Sequence, residues 1–194
     1  MHYKANITAG GLLVPESRKI ARFLLTYPDK AGWKHAIQTE NILQQRSMAS
    51  AIRIANLIKA RLELMAPPIW ELIADGNASV STHAVFATAI KHSRILGNFL
   101  DIVVRDQLKR MEEKLSYHLW DEYLEGCKQR DPDMPPIPES TAEKTRNNVF
   151  KILYEVGYLS HRRKLTLQRI IIVTEVMEYL KTNQENYVLE RIQV

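Results

Sequence analysis

Residues 46–65 read RSMASAIRIANLIKARLELM, and the way this stretch folds decides what kind of protein the chain makes. Apolar residues recur three and four apart, the period of a helix. On a helical wheel Met48, Ala51, Ile52, Ala55, Ile58 and Leu62 fall on one side, a stripe wide enough to face a core. Arg46, Ser50, Arg53 and Arg61 fall together on the opposite side. Ser47 stands where a hydroxyl can accept from the free amides of a first helical turn, so it is the expected N-cap.

Working outward, Pro15 is a favoured first-turn residue and opens a helix that runs to about Tyr27, where Pro28-Asp29 breaks it. Ile20, Phe23 and Leu24 form its apolar stripe, with Arg18, Lys19 and Arg22 elsewhere around it. A second short helix over about 32–41 turns Trp33, Ala36 and Ile37 inward. Three short elements, the third with polar and basic residues at its N-terminal end, outline a helix-turn-helix within residues 1–66.

Residues 67–131 read as a helical bundle, with Ser81 as a helix cap, Gly97 as a bend, and Phe99, Ile102, Val103 and Leu108 buried. Asp121, Glu122 and Glu125 form an exposed acidic helix face. Residues 132–140, PDMPPIPES, pack four prolines into a rigid connection and mark the best domain boundary. In residues 141–194 a helix buries Ala142, Val149, Ile152, Leu153 and Val156 and stops at Gly157, because glycine takes the left-handed terminal conformation at least cost. SHRRKLTLQRIIIV follows as a short hairpin or strand, and a last helix starts at Thr174. That order resembles a winged helix. The whole is a mainly all-α protein: a helical bundle with an N-terminal helix-turn-helix and a C-terminal winged-helix-like segment carrying a short hairpin.

Composition agrees with a folded chain: 194 residues, 45% hydrophobic and 25% charged. The net charge of +5 is unevenly spread. Lys and Arg outnumber acids by ten to four in residues 1–66 and nine to six in residues 141–194, while acids lead twelve to eight between them. Two basic ends around an acidic middle suggest polyanion contact at the ends and protein contact or plain solvation in the centre. One cysteine, Cys127, excludes an internal disulfide framework and fits a reducing compartment, so cytoplasm is the default.

Several chemistries lack their residues. No apolar run reaches the ~18 to 20 residues of a membrane helix. TAGGLLVPES, residues 8–17, has neither the spacing of a phosphate loop nor the charged start and cleavage site of an export signal. It reads instead as a glycine hinge, an apolar clasp of Leu12, Leu13 and Val14, and the start of the first helix. Residues 1–11 are expected to be dispensable for the fold. No two of the six histidines lie three or four apart, so no metal site is expected, and no cofactor motif or nucleophile elbow occurs. Nothing points to an enzyme. His83 and His92 are expected to be hydrogen-bonded structural residues.

Basic surfaces remain. Arg46, Arg53 and Arg61, spaced at seven and eight residues, would form a column roughly 22 Å long at ~1.5 Å rise per residue. Arginine suits phosphate and guanine edges because its planar fork binds both bidentately. A solvated helix face would explain the column equally well by itself. Lys144 and Lys151, then His161, Arg162, Arg163, Lys164 and Arg169, make a second basic surface on a helix and wing.

Three segments, ITAGGLLVPESRKIARFLL at 7–25, ENILQQRSMASAIRIANLIKARLELM at 40–65 and TAEKTRNNVFKILYEVGYLS at 141–160, resemble the BrxA family of the BREX phage-resistance systems. The resemblance spans most of the chain and rests on whole segments rather than a catalytic signature. It implies a small, nearly all-helical fold like that of the antitermination factor NusB, and binding of double-stranded DNA without catalysis. It also implies other BREX components as partners: a methyltransferase, an alkaline-phosphatase-like protein and large ATPases. On this reading Arg18, Lys19, Arg22, Arg46, Arg53 and Arg61 contact one stretch of DNA backbone, with Ser47 and Ser50 adding hydrogen bonds. Lys144, Lys151, Arg162, Arg163 and Lys164 contact a second. A protein–protein adaptor within the defence complex, or RNA binding in the manner of NusB, are the alternatives.

Overall fold

The computed structural model describes Ile7 and residues 10–194 of the chain, and it is mainly helical, with one small two-stranded antiparallel sheet. Its axis is α5, Ala78–His92, in which every residue from Val80 to Ile90 but Thr82 is buried. A helix that is apolar around its whole circumference cannot lie at a surface, and the alanines of this one let neighbours approach closely. Around it pack α1 (Val14–Leu24), α3 (Met48–Leu62), α4 (Pro68–Asp75), α6 (Arg94–Phe99), α9 (Glu139–Val156), α10 (Thr174–Thr182) and α11 (Asn186–Ile192). A short α2, Lys30–Gln38, covers α3 from outside. Among the described residues no helix is long and apolar enough to cross a membrane.

Local chemistry sets the helix ends. The side chains of Asp29, Ser47, Asn77, Ser93 and Ser116 each accept a hydrogen bond from the amide three residues on, satisfying a donor that the helix leaves unpaired. Ser47 is the cap the sequence predicts. Ser81 is not: Asn77 caps α5, and Ser81 is buried one turn in, its hydroxyl donating to the Gly76 carbonyl at 3.0 Å. Gly157 ends α9 with φ 103°, as expected of a left-handed terminal residue.

Beyond α6 the helix passes through a π turn, Leu100–Val104, into α7, Arg105–Lys109. This turn corrects one expectation about burial. Phe99 and Leu108 are in the core, but Ile102 is 47% exposed. Ile102 lies inside the π turn, where the wider winding takes side chains off the positions of a regular wheel. Helix α8, Tyr117–Arg130, packs Trp120 edge-on to Phe99 with ring centroids 5.0 Å apart. The proline-rich residues 132–138 join it to α9 and place Met134 in the core.

The sheet is the expected hairpin: β1, Leu159–His161, pairs with β2, Thr166–Leu167. Residues 113–115 join its far edge, with Leu115 N–H donating to the Leu165 carbonyl and Leu167 N–H to the Glu113 carbonyl. The β-branched run 170–173 is neither strand nor helix but an extended lead into α10. Its Val173 amide donates to His83 Nδ1 at 3.1 Å, which is the structural role expected of that histidine.

Candidate nucleic-acid interface

Helix α3 starts as its sequence predicts and then departs from it. The Ser47 hydroxyl accepts from the Ser50 amide at 3.2 Å and lies 3.0 Å from the Ser50 hydroxyl, so the two serines cap the helix together. Arg46 and Arg53 are exposed beside them. Yet the buried side is Ala51, Ile54, Ala55, Ile58, Arg61 and Leu62, while Met48 is 51% exposed. The inward arc is turned toward Ile54 and Arg61, and the expected column loses its third member.

Arg61 is 2% exposed. One guanidinium nitrogen donates to the carbonyls of Gly11 and Leu12 at 3.4 and 3.3 Å. Burial lowers its pKa to about 10, against the opposing pull of the Glu155 carboxylate, and it stays charged at neutral pH. From the other side the Leu12 amide donates to Glu155 Oε2 at 2.7 Å. Gly11 has no side chain because a Cβ there would collide with that carboxylate. The glycine pair is therefore a close approach as well as a turn, with Gly10 at φ 126°. Leu12 is fully buried, as an apolar clasp should be. Ile7 is buried too, and its carbonyl accepts from Asn148 Nδ2 at 2.7 Å, so the arm anchors to α9 earlier than the sequence suggested.

Arg18 and Lys19 are partly exposed on α1. Arg22 instead spans to the end of α4, donating to the Ala74 carbonyl at 2.9 Å and pairing with Asp75 at 3.4 Å. The connection from α2 to α3 occupies residues 39–47, longer than the ~3–4-residue turn of a helix-turn-helix. It is ordered by Asn41, whose side chain bonds both the amide and the carbonyl of Gln45, and by buried Leu43.

On the C-terminal side Lys144 is exposed on α9, while Lys151 pairs with Glu155 at 3.6 Å. Arg162, Arg163 and Lys164 occupy the exposed tip of the hairpin. Arg169 donates to the Leu108 carbonyl at 3.3 Å.

In the acidic middle, among the described residues, some cations are ion-paired and others, Arg94, Lys109 and Lys114, are not. Lys91, Arg105, Arg110 and Lys128, all in the acidic middle, are matched by Glu185, Asp101, Asp106 and Glu125. Among the described residues Arg18, Lys19, Arg46, Arg53, Lys144, Arg162, Arg163 and Lys164 enter no ion pair. Their charge faces solvent uncompensated. The acidic face is likewise spoken for: Asp121 pairs with Arg146, Glu122 with His118 and Glu125 with Lys128. No group of three His, Cys, Asp or Glu among the described residues is placed to hold a metal ion.

Two features escaped the sequence. The first is the Arg61–Glu155 junction, whose members are 94 positions apart with no shared motif. The second is a cavity of about 350 Å³ at the hairpin, lined by Tyr154, Ser160, His161, Arg162 and Arg163. The arginines and His161 were legible as a basic surface; the Tyr154 ring beside them was not.

The family model of BrxA matches residues 1–184. A protein of Paramagnetospirillum magneticum named BREX protein BrxA is 48% identical over 192 residues, covering 99% of this chain and 96% of its own. One of the same name from Escherichia coli O9:H4 is 33% identical over 176 residues, covering 91% and 83%. The crystal structure of an uncharacterised protein from Magnetospirillum magneticum matches with a TM-score of 0.91 at 47% identity, over 98% of each chain.

Proposed function

On the strength of these matches the chain belongs to the BrxA family, with a role in the BREX defence system, and from that premise we propose that it is a non-enzymatic accessory protein that binds double-stranded DNA. The observation that carries the reading is the set of exposed cations without carboxylate partners on α1, at the start of α3, on α9 and at the hairpin tip. Phosphates of a duplex are the partner whose charge density repays them, through release of condensed counterions.

In this proposal Arg46 and Arg53, with Arg18 and Lys19, meet one stretch of backbone. Lys144, Arg162, Arg163 and Lys164 meet another through the wing. Lys151 and Arg22 are partly committed to Glu155 and Asp75, and Arg61 is interior, so both contact sets are smaller than the sequence implies. If about six phosphates are neutralised, log affinity falls with log salt at a slope of roughly −5. Fluorescence anisotropy on a labelled duplex across a salt series measures it. A nearly flat salt dependence, or unchanged affinity in an Arg46→Ala/Arg53→Ala double variant, would sink the reading. Competition among duplex DNA, single strands and RNA in the same assay separates it from RNA binding.

A second reading is an adaptor that meets other BREX components, among them the methyltransferase, the phosphatase-like protein and the ATPases. Met111 and Ile171, 86% and 83% exposed, are what favours it, since large apolar side chains that far in water gain most from a partner. DNA and protein contacts on different faces are compatible.

A further inference from the structure

Resting on the DNA-binding reading, we propose that the hairpin cavity receives one unpaired nucleotide of a DNA strand, its base stacked on Tyr154 and its phosphate held by His161, Arg162 and Arg163. The cavity, about 350 Å³, has the volume to take one nucleotide, and no carboxylate lines it. Its wall combines a phenol ring, a hydroxyl, an imidazole and two guanidinium groups. That is the composition of a stacking platform beside an electrostatic clamp, the arrangement by which proteins hold single-stranded nucleic acid. Tyr154 is 44% exposed on the last turn of α9, so its ring is open to a stacking partner without being part of the core.

The imidazole is fixed for this role. His161 Nδ1 accepts from the amides of both Arg163 and Lys164 at 3.3 Å. A neutral ring with Nδ1 as acceptor carries its proton on Nε2, so a donor is left for an anion. The turn that bears the arginines is also stiff. Leu165 N–H closes it onto the His161 carbonyl at 2.8 Å, and residues 113–115 clamp the strand that follows. Gln168 ties the hairpin to the end of α9, donating from its side chain to the Gly157 carbonyl at 2.7 Å and from its amide to the Tyr158 carbonyl at 3.0 Å. The backbone that carries the ring and the cations is thus held in one frame before any ligand arrives, which lowers the ordering cost of binding.

A paired base inside a duplex is stacked on both faces and cannot present one to Tyr154. The occupant is therefore a nucleotide at a frayed end, an overhang or an opened position. The test compares a blunt duplex with the same duplex carrying a short overhang that contains 2-aminopurine, using the full chain. The overhang is expected to raise affinity about tenfold, the scale of one base stacked on an aromatic ring, and to show quenched fluorescence when bound. Tyr154→Ala should reduce the overhang to the blunt affinity without changing the blunt duplex or the melting temperature, and Tyr154→Phe should keep the preference. Arg162→Ala/Arg163→Ala should weaken both substrates. Equal affinity for the two duplexes, or a preference that survives Tyr154→Ala, overturns the proposal while leaving duplex binding intact. No binding to either duplex brings down the DNA-binding reading along with it. Displacement of the overhang by micromolar deoxyadenosine monophosphate overturns it differently, by assigning the cavity to a soluble nucleotide.

Discussion

Arg53 and Arg61 lie eight residues apart on the same helix, yet the first stands in water with no ion pair and the second is sealed beneath the N-terminal arm. Eight residues are about 80° around a helix, so the two were never on quite the same side. Whether that difference means half-exposed or buried is settled by what lies opposite. Facing the end of α3 are two backbone carbonyls that need donors and the Glu155 carboxylate that needs a positive charge nearby. Facing its start is solvent. One residue type thus serves cohesion at one end of the helix and, in our proposal, recognition at the other.

The largest expected effect tests the cohesive end. Arg61→Ala strands the Gly11 and Leu12 carbonyls in the interior and leaves Glu155 with Lys151 as its remaining cation, and it should cost about 3 kcal/mol. Urea unfolding measures this, and a loss under about 1 kcal/mol would mean that apolar contacts alone hold the arm. Next is Gly11→Ala, whose methyl group displaces the Glu155 carboxylate and breaks its bond with the Leu12 amide, for about 1–2 kcal/mol. In a Glu155→Ala background the same change should cost much less, because the collision is gone. A double-mutant cycle without coupling would contradict the close approach.

Arg46→Ala/Arg53→Ala tests the other end and should invert the pattern. Stability is expected to stay within about 0.5 kcal/mol, while the salt slope for duplex DNA shrinks by about two. A large stability loss would show that these side chains also serve cohesion.

The smallest effect concerns acid. Burial holds His83 below the ordinary imidazole value, and burial together with the nearby Arg61 charge does so for His92. The folded chain therefore resists protons that the unfolded chain takes up near pH ~6.5, so stability is complete above that pH and declines as pH falls below it. Thermal melts at about pH 7.5 and about pH 5.5 should show the decline, and His92→Gln should make it shallower. An identical decline in that variant would exclude His92 as a source.

Much of the fold was legible because it depends on local chemistry. The Ser47 cap, the Gly157 stop, the hairpin after it and the buried face of α9 each follow from a few neighbouring residues. Ile102 was misread because a π turn is not written in hydrophobic spacing, and Ser81 because Asn77 offered an equally good cap four residues earlier. The supposedly dispensable first residues contain Ile7, which is buried and whose carbonyl is held by Asn148 of α9, over a hundred positions away.

By itself the sequence determined that the chain is helical, that its positive charge gathers at its two ends, and to which family it is similar. Periodicity, capping residues and composition are properties of neighbours along the chain, and they survive without knowledge of contacts. Only the tertiary structure decided which arginines are spent inside and which remain exposed, because an arginine's fate depends on the carbonyls and carboxylates brought opposite it. The same holds for the hairpin cavity: Tyr154 and His161 are ordinary residues until the turn at Gly157 folds one beside the other.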